Sequence, residues 1–351
     1  MKIGVCLMPN VDEVTFFPFV ENLGYDSVWV ADSQMLFSDC YATLALAATM
    51  TRRIRLGTGT SVCGTRIAPV QVSSIATINR LAPGRTFLSV ATGNTAMRAM
   101  GQPPMRIREY REYLEVLAPL LRGEVAQYRG RAARILQHDH DGHMSLKPRI
   151  PLYVSGYGPR AMELAGEFGD GLVFTTAPRG APVPEALARV GSGAERAGRT
   201  LEDFWTCALV SIALLEPGEE PNSDRVIGQV GANAINAAYY YYDLAQERGA
   251  DPPDFLKPIW RRYCELIERV PAEHRHFRTH EYHYTRLHPG EAELITADLV
   301  RNTCLVGTAD ELVEHLRALE AQGLRELMWG TGSDAKWAFA EAFSRQVLRR
   351  L

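Results

Sequence analysis

From Lys2 to Asn94 the chain repeats one pattern: a short apolar run, a small or polar loop, then a segment with helical spacing. The runs are 2–8, 27–31, 53–59 and 86–91, and Asp32-Ser33-Gln34, Thr60-Ser61 and Thr92-Gly93-Asn94 follow the last three. Alternating strands and helices predict a parallel sheet, in which ligands bind at the carboxyl ends of the strands. The pattern resumes with strands at 151–155, 171–175, 204–214 and 325–329. Helices are predicted over 12–23, 40–51, 68–81, 106–122, 159–168, 183–197, 309–322 and 334–349. One of them is punctuated at both ends, with Thr308 and Glu311 spaced as a capping box and Gly323 as its stop. Eight such units predict a single (β/α)8 TIM barrel over 1–351. An open doubly wound sheet is the alternative, but no G-x-G-x-x-G opens a helix after the first strand.

A barrel needs about 250 residues, and the surplus falls in two places. Residues 124–148 look like a hairpin excursion. The longer surplus, 216–307, lies between the seventh strand and the last helix–strand unit; its part from about 216 to 290 is expected to be a lid or an oligomer contact. It holds the run Tyr239 to Tyr242, which covers all sides of a helix, so that some rings must be buried. Composition changes little: 46% hydrophobic and 23% charged residues are ordinary for a globular protein. A net charge of −3 gives no reason to expect nucleic acid or an anionic membrane as partner. The six cysteines are scattered, no apolar run reaches membrane length, and the amino terminus runs directly into a strand. The expected location is the cytoplasm, with reduced thiols.

Gly156-Tyr157-Gly158-Pro159-Arg160 joins the fifth strand to a helix. Glycines let a phosphate approach the backbone, Pro159 suits the first helical position, and the helix amino terminus supplies free N–H groups. Arg160 can add a bidentate grip. The same residues also make an ordinary strand–helix turn. Thr175 and Thr176, after the sixth strand, either reach the same phosphate or simply finish the strand. His138, His140 and His143, and the five histidines of 274–288, lack cysteine partners and an H-E-x-x-H helix; no metal site is expected. A substrate-facing histidine from 274–288 is the functional alternative to a solvated lid surface.

The segments YDSVWVADSQ, IRLGTGTSVCGTRIAP and INRLAPGRTFLSVATGNTAMRAMG together resemble the bacterial luciferase-like family, as do IPLYVSGYGPRAMELAGEFGDGLV and CLVGTADELVEHLRALEAQGL. Their order and spacing are most similar to the branch that contains methylenetetrahydromethanopterin reductase. The resemblance covers most of the chain except roughly 216–290. It implies a (β/α)8 barrel holding FMN or the deazaflavin coenzyme F-420 at its carboxyl face, often as a homodimer, and an oxidoreductase acting on a small-molecule substrate. With the deazaflavin the chemistry is hydride transfer. With FMN it is oxygenation by reduced flavin, supplied by a separate flavin reductase. A barrel that binds such a ligand without turnover is the non-enzymatic alternative.

Carried over by position, Asp32 and Ser33 face the ring or substrate as candidate catalytic residues, the other reading being that they cap the next segment. Gly59–Thr60 becomes a non-prolyl cis peptide behind the ring. Thr92, Gly93 and Asn94 meet its polar edge, since a carboxamide both donates and accepts, although Asn and Gly also dominate turns. Two departures bear on substrate and proton donor: some relatives have histidine where Ser33 and Gln34 stand, and GTRIAP replaces a TRHP found in many.

Overall fold

The computed structural model describes residues 1–137, 142–176, 178–331 and 335–351. Its centre is a closed ring of eight parallel strands: β1 Lys2–Leu7, β2 Ser27–Val30, β3 Arg55–Thr58, β4 Thr86–Ala91, β5 Leu152–Ser155, β6 Gly171–Phe174, β7 Trp205–Val210 and β8 Glu326–Thr331. The ring runs in sequence order, with β8 beside β1 and β7, and β3 pairs with β4 through Leu56 and Thr86. Closure excludes the open doubly wound sheet. Around it pack α1 Phe16–Leu23, α2 Cys40–Met50, α3 Ala68–Leu81, α4 Ile107–Leu121, α5 Pro159–Phe168 and α6 Val183–Arg196. The excursion at 124–148 carries the expected hairpin, Ala126–Tyr128 against Arg131–Ala133.

The period of two along each strand sorts the side chains. Ile3, Val5, Val28, Val30, Leu88, Val90, Leu327 and Trp329 face the helices and form the main core. Cys6, Trp29, Phe87, Tyr153, Val173, Cys207 and Met328 fill the barrel itself. There Trp29 lies with its ring centre 4.2 Å from Phe87 and 5.7 Å from Tyr153. Gly57 leaves room for the Phe87 ring, which any side chain at 57 would strike.

The amino end of the barrel is closed by a polar plug. The fully buried Glu326 accepts hydrogen bonds from Ser27 Oγ, from Trp29 Nε1 at 2.8 Å and from Trp205 Nε1 at 2.7 Å. Arg55 lies 3.7 Å from the same carboxylate, donates to Tyr153 OH at 2.6 Å, and stacks over Phe87 and Trp205.

Two predicted elements differ. The single strand expected over 204–214 breaks at Ser211: β7 ends at Val210, and Ile212–Leu214 leaves the barrel to pair in parallel with Leu305–Gly307. The helix expected over 12–23 is a 3-10 turn, Val11–Glu13, followed by α1. Between the paired strands the insertion holds α7 Asp224–Arg248, α8 Lys257–Ile267, α9 Arg275–His280 and α10 Ala297–Thr303. It has its own apolar core, in which Tyr239 and Tyr242 are buried with Tyr263, Ile235 and Leu299, while Tyr240 stays exposed. After it come α11 Ala309–Ala321, opened by the predicted Thr308–Glu311 capping box, and α12 Lys336–Gln346.

Candidate functional site

The loops at the carboxyl ends of β2, β3 and β4 converge on one another. Asp32, just past β2, is buried and gives one carboxylate oxygen to this convergence: Oδ2 accepts from Ser61 Oγ at 2.6 Å, from the Val62 N–H at 3.2 Å and from Arg66 Nη1. Arg66 also holds Asp39 at 2.8 Å and lies over the Tyr41 ring. Burial alone would lower the guanidinium's pKa, but the hydrogen bond and charge of Asp32 raise it above the ordinary value. The cap of α2 is Asp39, which accepts from the Ala42 N–H, so the capping alternative for Asp32 does not hold. Asp32 braces two loops against each other and leaves the half-buried Ser33 beside it.

Gly59–Thr60 is a cis peptide. Gly59 donates its N–H to Val30 O at 2.6 Å, and a Cβ at 59 would lie 2.6 Å from Trp29 Cβ. The barrel wall thus comes too close behind this peptide for any residue but glycine. Gly93 has φ +80°, and a Cβ there would overlap Val62. It turns the chain into the one-turn helix Asn94–Arg98, which Gln34 Nε2 holds through Ala96 O at 2.9 Å. Asn94 is exposed and its Oδ1 accepts from Arg98 Nε at 3.0 Å, leaving the amide donor. Thr60 and Thr92 are half-buried.

Across the mouth, Gly156 fits tightly against Ala161, while a side chain at Gly158 would meet open space. Pro159 takes the first turn of α5, whose amino end has no side-chain cap, and Tyr157 and Arg160 are exposed beside it. Thr175 Oγ1 donates to Leu209 O at 2.9 Å, which ties the start of the loop after β6 to β7. Thr176 is buried, with an Oγ1 that has no hydrogen-bond partner. Among the described residues no cluster of three or more His, Cys, Asp or Glu is placed to hold a metal ion; His138 and His140 lie outside the described residues.

The insertion reaches this end of the barrel. Asn233 of α7 donates to Gly330 O, on β8, at 3.3 Å. Arg98 pairs with Glu247 and lies 3.7 Å from Asp243. Arg179, in the loop after β6, donates to Tyr284 OH at 3.4 Å. Sequence reasoning missed Arg66, Arg179 and the asparagines of α7. A charged residue within the small-residue segment GTRIAP was the available signal for Arg66; the others have partners far off in the chain.

A 5,10-methylenetetrahydromethanopterin reductase of Archaeoglobus fulgidus is 24% identical over 360 residues, spanning 100% of this chain and 100% of its own length. The solved coenzyme F-420-dependent tetrahydromethanopterin reductase of Methanopyrus kandleri shares the fold, with a TM-score of 0.71 at 20% identity over 99% of this chain and 98% of that one. So does a type II Baeyer-Villiger monooxygenase of Pseudomonas putida in complex with FMN, the oxygenating constituent of 3,6-diketocamphane monooxygenase. Its TM-score is 0.60 at 17% identity, over 100% of this chain and 99% of that one. The luciferase-like monooxygenase family model matches residues 11–326, and the chain belongs to that family.

Proposed function

We propose that this protein is an oxidoreductase that holds coenzyme F-420 at the carboxyl end of its barrel and exchanges a hydride with a small organic substrate admitted beneath the insertion. The observation that carries this is the uncapped amino end of α5, flanked by the exposed Arg160 and opposite half-buried Thr60 and Thr92. The site fits such a cofactor on two counts. Glycines at 59, 93 and 156 sit where a side chain would collide with the wall behind, and the buried Thr176 hydroxyl lacks a partner. Gly158, Pro159, Arg160 and Thr176 would hold the phosphate or ribityl portion, and Gly59–Thr60, Thr92, Gly93 and Asn94 the ring. The deazaflavin supplies two-electron hydride transfer. The chain's part is to hold the ring against the Gly59–Thr60 wall, keep the Asp32–Arg66 brace in place, and exclude water under the insertion.

Parallel titrations with coenzyme F-420 and FMN test this. Tight binding of the deazaflavin alone is expected. Preference for reduced FMN with oxygen uptake would move the protein to the monooxygenases and require a separate flavin reductase. Binding of neither would overturn the reading. A homodimer through the adjoining α2 and α3 is part of the proposal, because Leu46, Met50, Val70 and Leu81 leave large apolar groups exposed there; sedimentation of a monomer would remove it. The free cysteines fit a reducing compartment, and the cytoplasm is the proposed location.

A further inference from the structure

The insertion places a histidine over the barrel mouth that the family resemblance did not assign. His283 is 8% exposed, and its Nδ1 lies 3.1 Å from Asn236 Oδ1. An amide oxygen only accepts, so Nδ1 carries the hydrogen and Nε2 presents a lone pair. Among the described residues Nε2 has no hydrogen-bond partner. Unlike both ring nitrogens of His280 and Nε2 of His288, it is not sealed from the surface. Asn236 stands one helical turn after Asn233, which touches the end of β8, and the neighbouring Tyr284 meets Arg179 from the loop after β6. His283 therefore hangs over the carboxyl end of the barrel. Tyr284 itself has φ +60°, a conformation a bulky residue adopts only where the surroundings enforce it, and it stacks edge-on against His283 at 4.3 Å.

We infer that His283 is the proton-exchanging group of the proposed site, with Nε2 taking the hydroxyl proton of a small alcohol as its carbon is oxidised to a carbonyl, and with Asn236 as its positioning residue. The inference rests on the hydride-transfer reading. The alcohol's C–H bond breaks with its electron pair leaving as hydride for the two-electron acceptor, the O–H electrons form the C=O bond, and the proton goes to Nε2. Burial first, then the nearby His280 and Arg179, hold this imidazole well below its ordinary pKa, so at neutral pH it is the acceptor such a step needs. The imidazole missing after β2 and β3 is thereby replaced from the other side of the site.

Histidine-labelled protein without ligand, followed by nitrogen NMR, tests the inference independently of any cofactor. The ring signal absent from His283→Gln should be the Nδ1–H tautomer and should titrate well below the ordinary imidazole range. Asn236→Asp places a carboxylate on Nδ1 and should move its titration up by about one unit or more. An Nε2–H tautomer, or titration at the ordinary value, overturns the inference. With the loaded enzyme and a series of secondary alcohols beginning at propan-2-ol, His283→Gln should lower kcat by about 100-fold or more with KM little changed. Asn236→Asp should raise the acidic limb of the pH profile. Unchanged kcat in His283→Gln also overturns it. Failure of the wild-type protein to bind cofactor appears separately in the titrations, sinking the hydride-transfer reading while the tautomer is still read.

Discussion

Glu326 and Asp32 are both buried acids at the ends of barrel strands, one at the amino end and one at the carboxyl end. Glu326 gathers Ser27, Trp29, Trp205 and Arg55 from three strands, and every one of its partners is spent on closing the barrel. Asp32 gathers Ser61, the Val62 amide and Arg66 from a single neighbouring loop, and what it closes is the gap behind a row of half-buried Ser33, Thr60 and Thr92. The same chemistry thus makes a floor at one end and a frame at the other. Burial of a charged group does not by itself mark a site; what its partners leave open does.

This contrast predicts a ladder of effects. Removing the plug should be the most damaging change: Glu326→Ala leaves the Trp205 indole N–H and the Ser27 hydroxyl without their acceptor and Arg55 without its countercharge, and should cost about 3–5 kcal/mol in denaturant unfolding. A loss below 1 kcal/mol would show that the floor is not structural. Asp32→Asn keeps the shape but weakens the grip on Arg66, which can partly rehydrate, so about 2 kcal/mol is expected in stability, together with weaker cofactor binding in the titration. Loss of binding at full stability would make Asp32 a ligand contact rather than a brace.

Acid should act on the insertion before the barrel. Burial, with the nearby Arg278 second, lowers His288 from 6.5 to about 4. The unfolded chain takes up this proton below pH 6.5 while the folded chain stays neutral, so the contribution is complete above 6.5 and is lost as pH falls towards 4. Buried His283 acts in the same direction. A thermal midpoint falling by on the order of 2 °C or more over that window is expected; a flat profile from pH 6.5 to 5 would contradict it. The smallest effect on stability belongs to the open side of the mouth: Arg160→Ala should change unfolding by less than about 0.5 kcal/mol while weakening cofactor binding about tenfold.

The fold was legible because it is written in short periods. Strand alternation, the Thr308–Glu311 cap and Pro159 at a helix start are each decided within a few residues. The Gly59 position was legible only through resemblance; its physical reason, the Trp29 backbone behind it, comes from a neighbouring strand. What stayed hidden depends on partners far apart in sequence. Glu326, second in RELMW (325–329), reads like any solvent-facing strand end, and nothing local says that Trp29 and Trp205 will point at it. Asp32 could not be told from a cap until Arg66 and Ser61 were in view. The seventh strand was overextended because apolar residues continue past Ser211 into a second, separate pairing. His283 is one of five histidines in a polar stretch, and what separates it from His280 and His288, its hydrogen bond to Asn236 and an Nε2 open to the surface, depends on the folded insertion.

That second pairing has a consequence for how such a protein diversifies. Ile212–Leu214 and Leu305–Gly307 run side by side, so the intervening chain leaves and returns through one fixed doorway. The entropy of closing a loop grows only with the logarithm of its length, about 0.6 kcal/mol for each doubling. Behind such a doorway a lineage can lengthen, shorten or rewrite the covering module almost freely, while the barrel strands keep their register.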